Sequence, residues 1–304
     1  MHRKNGILRK MRFKRNLQKE IGEKVIMPQK RVAAIHDISG FGKCSLTVAL
    51  PIISAAKIET AVIPTAVLST HTGGFKGYTF HDLTEDILPI AKHWKSENLK
   101  FDGIYTGYLG SKEQVGLVKE TINLLKDKET LIVVDPVMGD HGKLYAGFTP
   151  DFPKEMLTLC ESAHIIVPNF TEAAFMLGEK YIEPPYTKEY VEDLIKRLAT
   201  ATGAQVVLTG VCFKKNEIGA SVYKNGEIFH YITNREDAVF HGTGDVFASA
   251  LTAALLNGKT VFDAAKIAVD FTVLCIKKTL AENGDRRYGV NFESCLFDLI
   301  KALE

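Results

Sequence analysis

Phe240-His241-Gly242-Thr243-Gly244-Asp245-Val246-Phe247-Ala248 is a glycine-rich turn that runs directly into an apolar helix. Gly242 and Gly244 let the backbone approach a ligand closely, and successive N–H groups at a helix N-terminus bind phosphate oxygens. Asp245 falls in the first helical turn, where its carboxylate can accept the proton of an attacking hydroxyl group. The turn Gly242, Thr243 and Gly244 therefore predicts an anion hole, with Asp245 as catalytic base. The alternative is that Asp245 only caps the helix.

Upstream of this turn, short β-branched runs alternate with longer amphipathic segments. This order is typical of βαβ units around a mostly parallel sheet. The predicted strands are Val32–Ile35, Ala61–Val67, Gly103–Tyr105, Leu131–Val134, Ile165–Val167 and Val206–Leu208. The segments with apolar residues at helical spacing, which we expect to cover the sheet, are Leu83–Trp94, Glu113–Leu125 and Tyr190–Ala199. The pattern predicts a layered α/β fold.

The pattern changes after Leu208. Gly219–Tyr223 and Glu227–Ile232 flank Lys224-Asn225-Gly226, and an Asn-Gly turn between two strand-like runs is a strong hairpin signal. Two further helices, Asp245–Leu256 and Val261–Lys278, are expected to follow. No repeat or linker divides residues 31–304, so we expect one domain there.

Polar residues follow each predicted parallel strand. Ligands collect at the carboxyl ends of strands in open α/β sheets, so these residues are the candidates for a site. They are His36–Gly42, Ser69–Gly74, Thr106–Tyr108, Asp135–Asp140, Pro168–Glu172 and Thr209-Gly210. A dinucleotide-binding oxidoreductase is disfavoured because Gly40-Phe41-Gly42 is followed by Ser45 where that fingerprint needs a third glycine.

Composition limits the class of protein. With 304 residues and 46% hydrophobic content, the chain can bury a full core. Its five cysteines are odd in number and far apart, which favours a reducing, cytoplasmic setting, and no apolar run is long enough to span a bilayer. Residues 1–30 are strongly basic and predict a disordered extension or an upstream start before Met27. We expect neither nucleic acid nor membrane as a partner; RNA binding by the extension is the competing interpretation.

The Gly242–Asp245 turn resembles the anion-hole signature of the ribokinase superfamily, whose members phosphorylate sugars, nucleosides and vitamin precursors. Thr106–Ser111, Asp135–Asp140 and Pro168-Asn169 resemble the blocks of the pyridoxal kinases within that superfamily. The blocks occur in order over essentially all of residues 31–280. The resemblance implies a three-layer α/β/α fold with a mostly parallel sheet and a β-hairpin, and an ATP-dependent kinase that acts on the 5′-hydroxymethyl group of pyridoxal, pyridoxine or pyridoxamine.

The resemblance also implies roles for residues on the nucleotide side. Asp135, Asp140 and Glu172 would hold Mg²⁺, since carboxylate oxygens suit a hard cation. The residues implied in ATP binding are Asp135, Asn169, Glu172, Thr209, Gly210, Gly242 and Gly244. Each has a structural alternative: turn or capping residues at Asp135 and Asp140, a capping box at Asn169 and Glu172, and a strand that ends in a turn at Thr209.

On the acceptor side, Ser69-Thr70-His71-Thr72 resembles the pyridoxal kinases' Ser-Asn-His-Thr block. His71, Thr72 and Tyr108 would then face the pyridine ring, next to Asp245. The chain departs from the family at Asp37-Ile38, where many pyridoxal kinases have Ser-His. Asp37 is similar to the hydroxymethylpyrimidine kinases and would bond a ring nitrogen or an exocyclic amine. A hydroxymethylpyrimidine kinase is therefore the main alternative, followed by another ribokinase-type kinase.

The segment His141–Pro150 is too rich in glycine and polar residues to predict a regular element, and it matches the family's mobile flap over ATP. The resemblance further implies ATP and Mg²⁺ as cofactors and a homodimer. It leaves open a monovalent cation such as K⁺.

Overall fold

The structure is a computed structural model that describes residues 29–282 and 284–304. The strands in chain order are β1 Arg31–Ser39, β2 Glu59–Leu68, β3 Phe80–Asp82, β4 Gly103–Thr106, β5 Leu131–Val134, β6 Gly139–Asp140, β7 Lys143–Leu144, β8 Ile165–Ile166, β9 Gln205–Val211, β10 Glu217–Lys224 and β11 Glu227–Asn234. The helices are α1 Leu46–Ala55, α2 Thr84–Ser96, α3 Lys112–Leu125, α4 Phe152–Cys160, α5 Phe170–Met176, α6 Lys188–Thr202, α7 Thr243–Leu256, α8 Val261–Ala281 and α9 Leu296–Leu303. Residues 1–28 of the predicted basic extension lie outside the described residues.

The central sheet has the strand order β11-β10-β9-β8-β5-β4-β1-β2-β3. The strands from β9 to β2 are parallel to their neighbours, whereas β3, β10 and β11 pair antiparallel at the two edges. Because β1, β2, β4, β5, β8 and β9 are parallel, their carboxyl ends lie at the same edge of the sheet. The chain returns between consecutive parallel strands through crossover connections.

Helices cover both faces of this sheet. Alternate residues of a strand point to opposite faces, and in β5 Val133 belongs to one apolar core while Ile132 and Val134 belong to the other. The first core is formed with α1, α7 and α8, and the second with α2 to α6. The predicted three-layer α/β/α fold with a mostly parallel sheet is confirmed.

The hairpin is also confirmed, and its local cause is visible. Asn225 and Gly226 both have positive φ values, 52° and 89°, as a tight hairpin turn requires. The hairpin β10–β11 extends the main sheet, because β10 pairs with β9.

Several details differ from the sequence prediction. Strand β3 and helices α1, α4, α5 and α9 were not predicted, and α1 contains Pro51, a residue that usually ends a helix. Lys143–Leu144 pairs with Gly139–Asp140, so the expected flap does contain a short strand. Thr209 and Gly210 lie within β9 rather than after it, since Gly210 is an extra residue, with φ 74°, at a bulge opposite β10.

Candidate active site

The carboxyl edge of the parallel strands collects the predicted site residues. Asp37 lies near the end of β1, Tyr108 follows β4, Asp135 follows β5 and Asn169 follows β8. Helix α7 begins beside this edge with the Gly242–Gly244 turn. The topology therefore brings together residues that are more than 200 positions apart in the chain.

The glycine turn has the conformation of an anion site. Gly242 is the N-cap of α7 and has φ 78°, in the left-handed region. No side chain of the described residues caps the helix, and the first intrahelical bond runs from Val246 N–H to the Gly242 carbonyl oxygen, 3.0 Å. The N–H groups of Thr243, Gly244 and Asp245 are therefore free of helix partners and can bind an anion.

Asp245 lies in the first turn of α7, but it is not the capping residue, because Gly242 holds that position. Burial raises the pKa of its carboxyl to about 7, against a lowering effect of a hydrogen bond from the Ser45 backbone. The charge of Asp37 raises it further. A carboxylate with a pKa near neutrality is a suitable general base at physiological pH.

Three more carboxylates lie on the side of the site that is predicted to bind the nucleotide. Asp135 is buried, and its pKa is raised well above the usual value, first by burial and then by the charges of Glu172 and Asp245. Glu172 is also buried; its Oε2 accepts from Asn169 N–H at 2.8 Å and its Oε1 from Met138 N–H at 3.2 Å. Asn169 in turn caps α5, so the expected capping box is present. Asp140 is exposed and accepts from His141 N–H at 2.8 Å.

The buried carboxylates of Asp135 and Glu172 differ in how well they suit a divalent cation. The Asp135 carboxylate has no hydrogen-bond partner among the described residues, and a buried carboxylate of that kind suits a cation. Glu172 fits less directly, since both of its oxygens accept backbone N–H groups. In residues 29–282 and 284–304, no group of three His, Cys, Asp or Glu residues is arranged to hold a metal ion. Asp135 would thus hold a cation together with phosphate oxygens, water and no more than one other carboxylate, for which the exposed Asp140 is the candidate.

Asp37 and Tyr108 form the predicted acceptor side of the site. Asp37 is buried, with Ser39 Oγ donating to its Oδ2 at 3.1 Å, and burial raises its pKa. Burial, followed by the charge of Asp37, raises the pKa of Tyr108 to about 12. The charge of Asp37 acts on both Asp245 and Tyr108, so Asp37 lies near each of them.

The Ser69–Thr72 block lies at the rim of this region. His71 is buried and Thr72 is exposed. Both ring nitrogens of His71 are engaged by backbone groups, Nδ1 by Gly73 N–H at 3.1 Å and Nε2 by the Arg287 carbonyl oxygen at 2.7 Å. Neither nitrogen is free to contact a ligand in this arrangement.

A cavity of about 280 Å³ opens next to the glycine turn. It is lined by predicted nucleotide-site residues, namely Asp140, Asn169, Thr209, Gly210, Thr243 and Gly244. Gly210 reaches the cavity because of its position at the β9 bulge. Asp135 and Glu172 do not line the cavity. Glu172 bonds Asn169, which does line it, and Asp135 is within range of the charge of Glu172.

Sequence reasoning missed the far wall of this cavity. Helix α8 contributes Val269, Thr272, Val273 and Ile276, four residues at helical spacing. That spacing was visible in the sequence, but it predicts any buried helix face and does not identify a ligand wall. The cavity also has one exposed cation, Arg235, which forms no ion pair within the described residues.

The segment expected to be a flap contacts both sides of the site. Gly142 N–H donates to Thr171 Oγ1 at 2.9 Å beside the cavity, and Phe148 packs against Tyr108 with ring centroids 5.6 Å apart. Tyr145, which the sequence reasoning did not single out, is exposed on this segment.

The chain is similar to known kinases in both sequence and fold. The protein-family model described as phosphomethylpyrimidine kinase matches residues 50–289. A Bacteroides thetaiotaomicron structure with pyridoxal, assigned to the phosphomethylpyrimidine kinases, is 36% identical, covers 89% of this chain and 95% of its own, and has a TM-score of 0.84. The pyridoxal kinase of Lactobacillus plantarum is 30% identical, with 90% and 97% covered and a TM-score of 0.83.

A longer relative is the thiamine biosynthetic bifunctional enzyme TH1 of Arabidopsis thaliana, which is 30% identical over 81% of this chain. The match spans 46% of that enzyme, about half of its length. No helix in the described ranges has the length and apolar character needed to cross a membrane.

Proposed function

The chain belongs to the phosphomethylpyrimidine kinase family, and we propose that it transfers the γ-phosphoryl group of ATP to the 5′-hydroxymethyl group of pyridoxal, pyridoxine or pyridoxamine. It is a phosphotransferase with an alcohol group as acceptor. The observation that carries the proposal is that Asp245 directly follows Thr243 and Gly244, which line the cavity, and is also within range of the charge of Asp37. A base placed there would adjoin both the proposed donor site and the proposed acceptor site.

In this proposal Asp245 acts on the acceptor. Its carboxylate takes the proton of the hydroxymethyl group as the oxygen attacks the γ-phosphorus, and the bond from that phosphorus to the β-phosphate oxygen breaks to release ADP. The N–H groups of Thr243, Gly244 and Asp245 stabilise the negative charge on the transferring group. Because these groups are already oriented by α7, little reorganisation accompanies the reaction.

The nucleotide would lie in the 280 Å³ cavity. Thr209 and Gly210 contact it from the β9 bulge, and Val273 and Ile276 supply apolar contact from α8. Asn169 and Glu172 hold the start of α5, and with it the loop that carries Asp140. A divalent cation such as Mg²⁺ would neutralise charge on the phosphates, with Asp135 and Asp140 holding it and Glu172 shaping the loop.

The flap His141–Pro150 would exclude water from the acceptor site. Phe148 already packs on Tyr108, and Gly142 bonds Thr171 beside the cavity, so the segment bridges both halves of the site. Exclusion of water suppresses hydrolysis of ATP in place of transfer. We also propose a homodimer, on the family resemblance.

Hydroxymethylpyrimidine is the second candidate acceptor, and Asp37 is the observation that favours it. A buried carboxylate with a raised pKa can bond an exocyclic amine, which hydroxymethylpyrimidine and pyridoxamine carry and pyridoxine does not. Packing of Tyr108 beside Asp37 suits either aromatic ring.

The deciding experiment is a coupled assay of ADP release with pyridoxal, pyridoxine, pyridoxamine, hydroxymethylpyrimidine and ribose as acceptors. We expect the highest kcat/KM for a B6 vitamer and none above background for ribose. A kcat/KM for hydroxymethylpyrimidine that exceeds every vitamer's would replace the proposed acceptor, and turnover of ribose alone would reject both aromatic substrates.

A further inference from the structure

His71 is held by two backbone groups from different parts of the chain. Gly73 N–H donates to Nδ1 at 3.1 Å, and Nε2 lies 2.7 Å from the Arg287 carbonyl oxygen. A carbonyl oxygen can only accept, so Nε2 must carry the hydrogen. An N–H group can only donate, so Nδ1 must be bare. The two bonds together require the neutral Nε2–H tautomer of His71.

The ring is also enclosed by its neighbours. A Cβ atom on Gly42 would overlap the imidazole, so the absence of a side chain there makes room for it. The ring of Phe75 lies 5.0 Å away, edge to face, and that of His241 lies 5.5 Å away. His71 thus touches the turn after β1, its own loop and the residue next to Gly242.

The segment bonded at Nε2 packs against the glycine turn. Lys43 N–H donates to the Tyr288 carbonyl oxygen at 3.0 Å, and a Cβ atom on Gly289 would lie 3.3 Å from the His241 carbonyl oxygen. Arg287 covers the ring of Phe75, with its guanidinium carbon 5.4 Å from the centroid. His71 therefore lies where the Ser69–Thr79 loop, the Asp285–Gly289 segment and the glycine turn converge.

We propose that His71 is a positioning residue that ties the Ser69–Thr79 loop and the Asp285–Gly289 segment to the glycine turn, and that it does not bind the acceptor through its ring nitrogens. The tie holds only while the imidazole is neutral. Its effect on catalysis rests on the proposed function, because the loop carries Thr72 to the acceptor side; the tie itself does not rest on it.

The two ends of the tie differ in their response to acid. Protonation places an N–H group at Nδ1 opposite Gly73 N–H, which breaks that bond, whereas Nε2–H continues to donate to Arg287. Burial lowers the pKa of His71, and the Arg287 bond opposes this effect. While His71 is bonded to Gly73, its pKa is lowered from 6.5. Proton uptake therefore favours the loop in which this bond is broken as the pH falls below that value.

Charged and titratable groups lie on each element next to His71. They are His241 next to the glycine turn, the Arg287–Asp285 ion pair on the C-terminal segment, and Lys43 after β1, whose ammonium group is paired with Glu293. The two ion pairs neutralise their own charges, which leaves His241 as the group that also disfavours a charged His71.

The wild-type protein tests the tie without a substrate. Long-range ¹H–¹⁵N spectra of the imidazole at pH 7.5 should show a bare Nδ1 and a protonated Nε2. Amide hydrogen exchange, corrected for intrinsic rates, should show that residues 69–79 lose protection between pH 7.5 and 5.0 while residues 285–291 keep it. An Nδ1–H tautomer, a charged ring at pH 7.5, or unchanged protection of both segments would overturn the proposal.

Two variants separate the two bonds. In His71→Asn the amide oxygen replaces Nδ1 but does not reach Arg287, and in His71→Gln the amide nitrogen replaces Nε2 but leaves Gly73 unpaired. In the His71→Asn variant we expect residues 69–79 to stay protected from exchange and residues 285–291 to lose protection. In the His71→Gln variant we expect residues 285–291 to stay protected and residues 69–79 to lose protection. His93→Gln, at an exposed position on α2, is the matched control and should exchange like the wild type.

The kinetic counterpart is a rise of the vitamer KM in both His71 variants, by about tenfold for one lost hydrogen bond, with the ATP KM unchanged. If KM rises while exchange in both segments stays at the wild-type level, His71 contacts the acceptor directly and the proposal is wrong. Exchange is measured without a substrate, so the tie can be confirmed even if the preferred acceptor turns out to be hydroxymethylpyrimidine.

Discussion

The carbonyl oxygen of Lys43 occupies the space that a Cβ atom on Gly242 would take. Gly242 also has φ 78°, a backbone conformation that residues with a side chain rarely adopt. Gly244, two residues later, has open space at the corresponding position and lines the 280 Å³ cavity. Packing and backbone conformation therefore require a glycine at position 242, whereas at position 244 we propose that it leaves room for a ligand.

Alanine substitutions should separate these reasons. Gly242→Ala must displace Lys43 or distort the turn, and we expect a loss of about 1–3 kcal/mol in the free energy of unfolding. Gly244→Ala should change that free energy by less than about 0.5 kcal/mol but weaken ATP binding, because its methyl group would enter the anion site. Urea unfolding and nucleotide titration measure both effects. An equally stable Gly242→Ala protein, or normal ATP affinity in Gly244→Ala, would contradict this assignment.

Asp245→Asn should lower kcat with saturating pyridoxal by about 10²–10⁴-fold, the contribution of a general base. ATP affinity should stay within a few-fold, since the backbone N–H groups that bind the phosphates are unchanged. The melting temperature at pH 8 should not fall, because the substitution removes a desolvated charge. A folded variant that keeps more than about a tenth of kcat would exclude Asp245 as the base, as it would then contribute under ~1.4 kcal/mol to barrier lowering.

The pH profile of the wild-type enzyme should report the same residue. The base must be ionised, and burial raises the pKa of Asp245 to about 7, so kcat/KM should decrease as the pH falls through about 7. Below that pH the decrease should approach tenfold per unit. An acid limb near pH 4, the ordinary value of an aspartate, would show that the catalytic base has an unperturbed pKa.

Asp37→Ser tests acceptor selectivity. If Asp37 bonds an amine or the ring nitrogen, its loss should change the ratio of kcat/KM values among vitamers by roughly tenfold, the effect of one hydrogen bond of ~1.4 kcal/mol. Ser is a suitable replacement because it is small and polar, like Ser39, which already donates to Asp37. An equal loss with every acceptor would indicate that Asp37 organises the site and does not select the substrate.

Burial of His36 should make the free energy of unfolding depend on pH in the acid range. Its ring is fully buried, its nitrogens have no hydrogen-bond partner among the described residues, and burial lowers its pKa to about 3. Below pH 6.5 the unfolded chain therefore binds one proton more than the folded chain. The free energy of unfolding then falls by about 1.4 kcal/mol for each unit by which the pH decreases. His36→Phe should remove this slope between pH 6.5 and 5.0 in urea unfolding. The same slope in both proteins would mean that His36 is paired with a buried water or another group.

The elements predicted well were those with local causes. Asn225-Gly226 specifies its hairpin because both residues tolerate positive φ, and each parallel strand was visible as a β-branched run. Helix α1 was not predicted, because Pro51 lowers helix propensity at its centre. Burial of Val48, Ile52 and Ile53 against the sheet and α7 outweighs that local effect.

Site residues divide along the same line. Asp37, Asp135 and Asp245 could be singled out because carboxylates follow strands or a glycine turn. The structure brings Asp245 within range of the charge of Asp37, and Asp135 within range of the charge of Asp245. Their metal, base and acceptor roles stay predictions. The wall of the nucleotide cavity on α8 could not be identified, since an apolar helix face carries no sign of what it packs against.

The sequence by itself determined the layered α/β architecture, the hairpin and the glycine turn, because backbone preferences and apolar periodicity act over a few neighbouring residues. Tertiary structure alone decided the surroundings of each functional group. His71 looked like a substrate contact in its own block, yet its Nε2 lies against Arg287, 216 positions along the chain. Which atoms occupy a side chain's hydrogen-bonding capacity depends on segments that only the folded sheet brings together, and no local pattern records them.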